Sequence, residues 1–99
     1  QDMSGYILTE PAAADIDEIE EYIAADNPDA ARRLILKLRS AMQQLAAFPG
    51  IGQHRKDVAD PRYRFWTVSP YVIVYDPDTS PLQIIRVIHG HRDMPTVLE

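Results

Sequence analysis

Ile84-Ile85-Arg86-Val87-Ile88-His89-Gly90-His91-Arg92-Asp93 is a β-branched run with one arginine inside it, stopped by a glycine and followed by a charged tail. Such a run reads as a buried strand, because β-branched side chains pack well on a pleated surface. Apolar residues fall on both of its faces, Ile84 and Ile88 on one and Ile85 and Val87 on the other, so the strand is expected to be central in its sheet. Strict alternation puts Arg86 with Ile84 and Ile88, on the face away from any helices that pack on Ile85 and Val87. An arginine inside an apolar strand needs a partner or a task. Asp76 and Asp93 are the candidate partners, and contact with another macromolecule is the candidate task.

Working backwards from this strand, which spans Leu82–His89, Pro77-Asp78-Thr79-Ser80-Pro81 is a turn, and Tyr71–Asp76 is a second strand. Ser69-Pro70 is a tight connection, and Tyr63–Val68 is a third strand. Short links between consecutive strands imply antiparallel pairing. Residues 53–61 are polar and read as loop.

The first half of the chain has helical periodicity. Residues 5–9 read as a short strand, and Pro11 suits the first turn of a helix. Ala12, Ile16, Ile19, Tyr22 and Ile23 make one face of a helix over about 11–25. Asp15, Asp17, Glu18, Glu20 and Glu21 make its polar face. Asn27 is a good N-cap, Pro28 a good first helical residue, and Asp29 favours the positive helix end. Ala31, Leu34, Leu38, Ala41, Met42, Leu45 and Phe48 form an apolar stripe over about 28–48, closed by Pro49-Gly50-Ile51-Gly52. The order is β-α-α-β-β-β. It predicts an α+β domain spanning residues 1–99, with a helical hairpin on one face of a twisted antiparallel sheet.

Composition narrows the function. The 99 residues carry a net charge of −5 and no cysteine. Disulfides and thiolate metal sites are therefore excluded, and a reducing cytoplasm is the expected location. No apolar run approaches the roughly 20 residues that cross a bilayer, and no secretory leader is read at the N-terminus. Residues 1–31 hold nine acidic residues and no Lys or Arg. Residues 32–99 hold all ten basic residues and six acidic ones, a balance of +4. The two halves thus present different surfaces. A net acidic chain is a poor candidate for tight nucleic-acid binding, which depends on neutralising phosphates.

Five pieces of sequence, in order, resemble the RelE/ParE superfamily of bacterial type II toxin–antitoxin toxins. They are Pro11-Ala12-x-x-Asp15-Ile16-x-x-Ile19-x-x-Tyr22-Ile23, then Asn27-Pro28-x-Ala30-Ala31-x-Arg33, and then Leu45-x-x-Phe48-Pro49-x-x-Gly52. Tyr71-x-Ile73-x-Tyr75 and Arg86-Val87-Ile88-His89-Gly90-x-Arg92-Asp93 complete the set. The resemblance implies a toxin paired with an antitoxin whose disordered tail folds across it. The superfamily holds two activities, cleavage of mRNA on the ribosome and poisoning of DNA gyrase. RelE-like nucleases tend to carry a basic residue early in the strand Tyr71–Tyr75 and a tyrosine after the tail arginine. Here those positions hold Val72 and Leu98. Neither can move a proton or stabilise a phosphate during attack by a ribose hydroxyl. The wording His-Gly-x-Arg-Asp and the Asn-Pro helix start favour the ParE-like branch.

The expectation is therefore a plasmid-stabilisation type of growth-inhibiting toxin. It inhibits DNA gyrase by binding, not by catalysis, and a cognate ParD-like antitoxin neutralises it in a hetero-oligomer. The alternative is a RelE-like ribosome-dependent mRNA endonuclease using His89, His91 and Arg92 with Arg62 and Arg64. A third reading is a member that only sequesters antitoxin. Candidate target- or antitoxin-binding residues are Arg62, Arg64, Trp66, Arg86, His91, Arg92 and Asp93, with Arg55 and Lys56 extending the basic rim. Trp66 shares a face with Arg64 and Val68 and is either core or, on the open face, a docking site. His89 is expected at the strand end on the Val87 side. Three histidines without a carboxylate at fixed spacing give no metal signature, and no cofactor is expected.

Overall fold

The structure, a computed structural model, describes residues 5–55 and 60–91. Strand β1 (Tyr6–Leu8) leads directly into helix α1 (Glu10–Ala24), followed by helix α2 (Pro28–Ala47) and a single 3-10 turn at Pro49–Ile51. Strands β2 (Arg64–Val68), β3 (Tyr71–Asp76) and β4 (Leu82–His89) complete the order.

Each helix starts where its capping chemistry lies. Thr9 caps α1, its Oγ1 accepting from the Ala12 amide at 3.3 Å, with Pro11 in the first turn. Asn27 caps α2, its Oδ1 accepting from the Ala30 amide at 3.0 Å, with Pro28 at the first helical position. Each cap is worth about 1 kcal/mol. The α1 stripe buries Ala12 and half-buries Ile16, Ile19 and Ile23. Tyr22 lies at the margin of that stripe and is 75% exposed, contrary to the sequence expectation. In α2, Ala31, Leu38, Ala41, Met42 and Leu45 are buried. Phe48 is not part of this face. It is the C-cap, with φ −135° and ψ 73°, so it leaves helical register and is 62% exposed.

The sheet order is β1-β4-β3-β2, so β4 is internal as expected. β2, β3 and β4 pair antiparallel. β1 adds a parallel member, with Tyr6 opposite Leu82 and Leu8 opposite Ile84, and the sheet is therefore mixed. The connection is long enough for parallel pairing, because the whole helical hairpin and two further strands intervene between β1 and β4.

The β3–β4 ladder contains a β-bulge. Tyr75 faces Ile84, whereas Val74 faces Arg86, leaving Ile85 as the extra residue. A bulge resets which face a side chain takes. Leu82, Ile84 and Val87 consequently join the helix-side core with Tyr71, Ile73, Tyr75, Leu38, Met42 and Leu45. Ile85 and Ile88 join Phe65, Val72 and Val74 on the opposite face. The expected grouping of Ile84 with Ile88, and of Ile85 with Val87, is thus broken by a single inserted residue.

Candidate functional site

β1 stops at Leu8, opposite Ile84, so among the described residues no strand pairs with the last five residues of β4 on that edge. Side chains from the start of α1 take its place. The Thr9 amide donates to the Ile84 carbonyl at 3.1 Å. The Thr9 hydroxyl shares its proton between the carbonyls of Ile84 (3.1 Å) and Ile85 (2.9 Å). Six residues further on, the Asp15 carboxylate accepts three donors from β4. Arg86 Nε lies at 2.7 Å, Arg86 Nη2 at 2.8 Å and the Val87 amide at 2.9 Å. The two side chains are only 29% and 15% exposed, so this forked pair is shielded from bulk water. Bidentate, charge-assisted geometry of this kind is among the stronger polar contacts available to a protein. The arginine inside the apolar strand therefore pairs with Asp15, not with Asp76; Asp93 lies outside the described residues.

The end of β4 is fixed from its other side too. The Gly90 amide donates to the Pro70 carbonyl at 2.9 Å. A Cβ at Gly90 would stand 3.3 Å from Val72 Cγ2 and 3.4 Å from that carbonyl, so a small residue suits the site. His89 pairs with Tyr71 across the ladder, and the two rings meet edge to face with centroids 5.7 Å apart. His89 Nδ1 accepts from the His91 amide at 3.3 Å, which places a neutral ring's proton on Nε2. The His89 and His91 rings lie 6.2 Å apart. His89 is on the Val87 side, as the sequence indicates. Arg92, Asp93 and Leu98 lie outside the described residues.

The basic cluster sits at the far end of β3. Arg64 pairs with Tyr75, whereas His89 pairs with Tyr71. Four residues of strand separate the two positions, about 13 Å at roughly 3.3 Å per residue. Arg64 Nη1 donates to the Gly52 carbonyl at 2.7 Å. Arg62 turns towards Asp60 at 3.1 Å, with its guanidinium carbon 5.2 Å from the centre of the Tyr63 ring. The Arg62 backbone amide, with help from its charge, holds the Asp60 carboxyl below the usual carboxylate range, and the Asp60 charge raises Arg62 in turn. His54, Arg62, Arg64 and Asp78 line an open hollow of about 340 Å³ together with three prolines. Arg55 is half-buried beside this region, and Lys56 lies outside the described residues. Trp66 faces Ile73 and packs half-buried against the helix-side core, so it is not on the opposite face.

A groove that the sequence did not announce runs over β1 between the helices. Tyr6, Leu8, Ile16 and Ile35 supply apolar walls, Glu20 stands on the α1 side and Arg39 on the α2 side, and the volume is about 280 Å³. Ile7 and Leu8 beside it are 42% and 39% exposed. Among the described residues, no group of three or more His, Asp or Glu is placed to hold a metal ion. Nor is any helix among them long and apolar enough to cross a membrane.

Two helices on a four-stranded mixed sheet, with a fixed strand end and an apolar groove, describe a small α+β domain. Residues 6–94 match the family described as the ParE toxin of the type II toxin–antitoxin system parDE. The putative toxin Y4kP of Sinorhizobium fredii is 34% identical over 84% of this chain and 84% of its own length. Toxin RelE2 of Caulobacter vibrioides is 36% identical over 91% of this chain and 99% of its own. Toxin ParE3 of the same organism is 26% identical over 97% of this chain and 96% of its own. A chain from the chromosomal ParDE toxin–antitoxin system of P. aeruginosa has the same fold. It superposes with a TM-score of 0.69 at 23% identity, covering 85% of this chain and 92% of that one. This chain belongs to the ParE toxin family of type II toxin–antitoxin systems.

Proposed function

We propose that this toxin arrests growth by binding DNA gyrase and stabilising its cleavage complex, without chemistry of its own. The observation that carries the reading is the separation of His89 and His91 from Arg62 and Arg64. Arg64 and His89 sit at opposite ends of β3, and Arg64 is held by the Gly52 carbonyl. A nuclease needs an acid, a base and phosphate-binding cations converging on one phosphate. Between those ends, Val72 is buried in an apolar cluster with Phe65, Val74 and Ile88, where a nuclease of this superfamily would present a cation. Target contacts are assigned to the end of β4 and the segment after it, with His91, Arg92 and Asp93 as candidates. The neutralising partner is a ParD-like antitoxin in the cytoplasm. The groove between α1, α2 and β1 suits an amphipathic segment of such a partner, with a cation towards Glu20 and an anion towards Arg39.

The test is supercoiling by purified gyrase with and without the full chain. Inhibition accompanied by accumulated cleaved DNA is expected. The second reading, a ribosome-dependent mRNA endonuclease, is favoured by the likeness to RelE2. Gyrase left unaffected, with mRNA cut in translating ribosomes, would establish that reading instead.

A further inference from the structure

We infer that Asp15 is a positioning residue for the target-binding end of the molecule, acting through Arg86 and Val87 on the His89-Gly90-His91 segment. The inference rests on the assignment of target contacts to that end. Among the described residues, β4 beyond Ile84 has a strand neighbour on the β3 side alone, and the bulge at Ile85 interrupts even that ladder. A strand end paired on one side and broken by a bulge opens locally at low cost. Asp15 supplies what β1 does not. It accepts the edge amide of Val87 as a neighbouring strand carbonyl would, and it grips the adjacent Arg86 through two nitrogens.

Asp15 is itself placed by Thr9, which ties the first turn of α1 to the carbonyls of Ile84 and Ile85. The helix therefore fixes β4 on both sides of the bulge. Val87 stands two residues before His89, whose Nδ1 holds the His91 amide. Pro70 and Tyr71 hold the same turn from the β3 side. With Asp15 in place, the turn is pinned from both flanks. Removing Asp15 takes away the α1 flank, and His89 and His91 lose one of the supports that keep their orientation.

The experiment compares the full-length chain with Asp15→Ala, Asp15→Asn and Arg86→Lys. A control variant, Ile23→Ala, weakens the half-buried face of α1 about two turns beyond Asp15 and removes no hydrogen bond to β4. Growth arrest per amount of soluble toxin is measured on induction, with amide exchange at Val87 and the nuclear magnetic resonance signals of Gly90 and His91. Asp15→Ala is expected to lower potency by about tenfold or more, to expose the Val87 amide and to shift the Gly90 and His91 signals. Asp15→Asn keeps an acceptor for Val87 but loses the charge, so its loss is expected to be smaller. If Asp15→Ala does not fold, Asp15→Asn and Arg86→Lys carry the test. Ile23→Ala is expected to keep its potency within about twofold for an equal fall in melting temperature.

Potency falling equally in Ile23→Ala would reduce Asp15 to a structural residue. So would unmoved Gly90 and His91 signals, and a parent chain that does not arrest growth would overturn the inference outright. A parent that arrests growth but leaves gyrase untouched removes the gyrase reading alone, and the comparison among variants still decides the role of Asp15.

Discussion

The Tyr75 hydroxyl bridges two backbone groups of one turn, donating to the Pro49 carbonyl at 2.7 Å and accepting from the Gly52 amide at 2.9 Å. Tyr75 is fully buried in the helix-side core, so its ring anchors the sheet while its hydroxyl holds the segment that leaves α2. Arg64 takes the Gly52 carbonyl, and Gln53 exchanges two 2.8 Å backbone bonds with Phe65. The chain after α2 is thereby laid along β2, the strand that would otherwise be a bare edge.

Tyr75→Phe keeps the ring and removes both hydroxyl bonds. The Gly52 amide is then left buried without its acceptor, so a loss of about 1–3 kcal/mol is expected. Gly52→Ala should cost a similar amount for a different reason. A Cβ there would meet the Tyr75 ring at 2.8 Å, and neither group has room to yield. Urea unfolding measures both. A loss below about 0.5 kcal/mol in each variant would show that this turn is not held by Tyr75.

Burial also favours the uncharged phenol of Tyr75 and pushes its pKa above the usual 10.0, outweighing the opposing pull of the Gly52 amide and the Arg64 charge. A pKa raised by folding means that the unfolded chain releases this proton first. Its contribution to stability is complete below about pH 10 and is lost as pH rises through the folded-state value. Ultraviolet titration should show Tyr75 ionising late, together with the onset of alkaline unfolding. In Tyr75→Phe that late step should be absent. Its persistence there would assign it to another tyrosine.

Leu38 is 1% exposed at the centre of the helix-side core. Leu38→Ala should cost about 2–5 kcal/mol through lost transfer energy and the cavity left behind. Small domains hold only about 5–15 kcal/mol in total. Leu38→Asp buries a charge with no partner and should leave the chain without a cooperative melt. A melting transition for Leu38→Asp close to that of the parent would overturn the assignment of this helix face to the core.

Residues that announce themselves by period or punctuation were readable without a structure. Asn27-Pro28 set the start of α2, and Ser69-Pro70 and Ser80-Pro81 bound strands whose limits agree to within a residue. What sequence alone hid has three physical causes. A bulge leaves no compositional mark, so Ile85 shifted the facing of its neighbours unseen. A three-residue strand has too little alternation to declare its partner, so the parallel pairing of β1 was not legible. Asp15 looked like one more acid on a solvated helix face, because its role depends on an arginine 71 residues away. Its place in Pro11-Ala12-x-x-Asp15-Ile16 was the one available signal. The two ends of the basic and histidine-bearing surface were legible as residues, but their separation along β3 required the register.

That separation leads to the last expectation, that the chain does not cut RNA. Arg62 is engaged by Asp60 and Arg64 by Gly52, about 13 Å along β3 from the level of His89. Guanidinium groups stay protonated near neutral pH and cannot carry the proton of an attacking hydroxyl. Imidazole is the side chain most often used to carry such a proton. His89 and His91 are close enough to act together, with rings 6.2 Å apart, but Val72 and the other side chains of the neighbouring cluster are apolar. The decisive comparison is the parent chain against His89→Ala/His91→Ala in a translating extract. Neither should produce ribosome-dependent mRNA fragments. Fragments made by the parent and lost in the double variant would replace gyrase binding with histidine-based cleavage as the mechanism of this toxin.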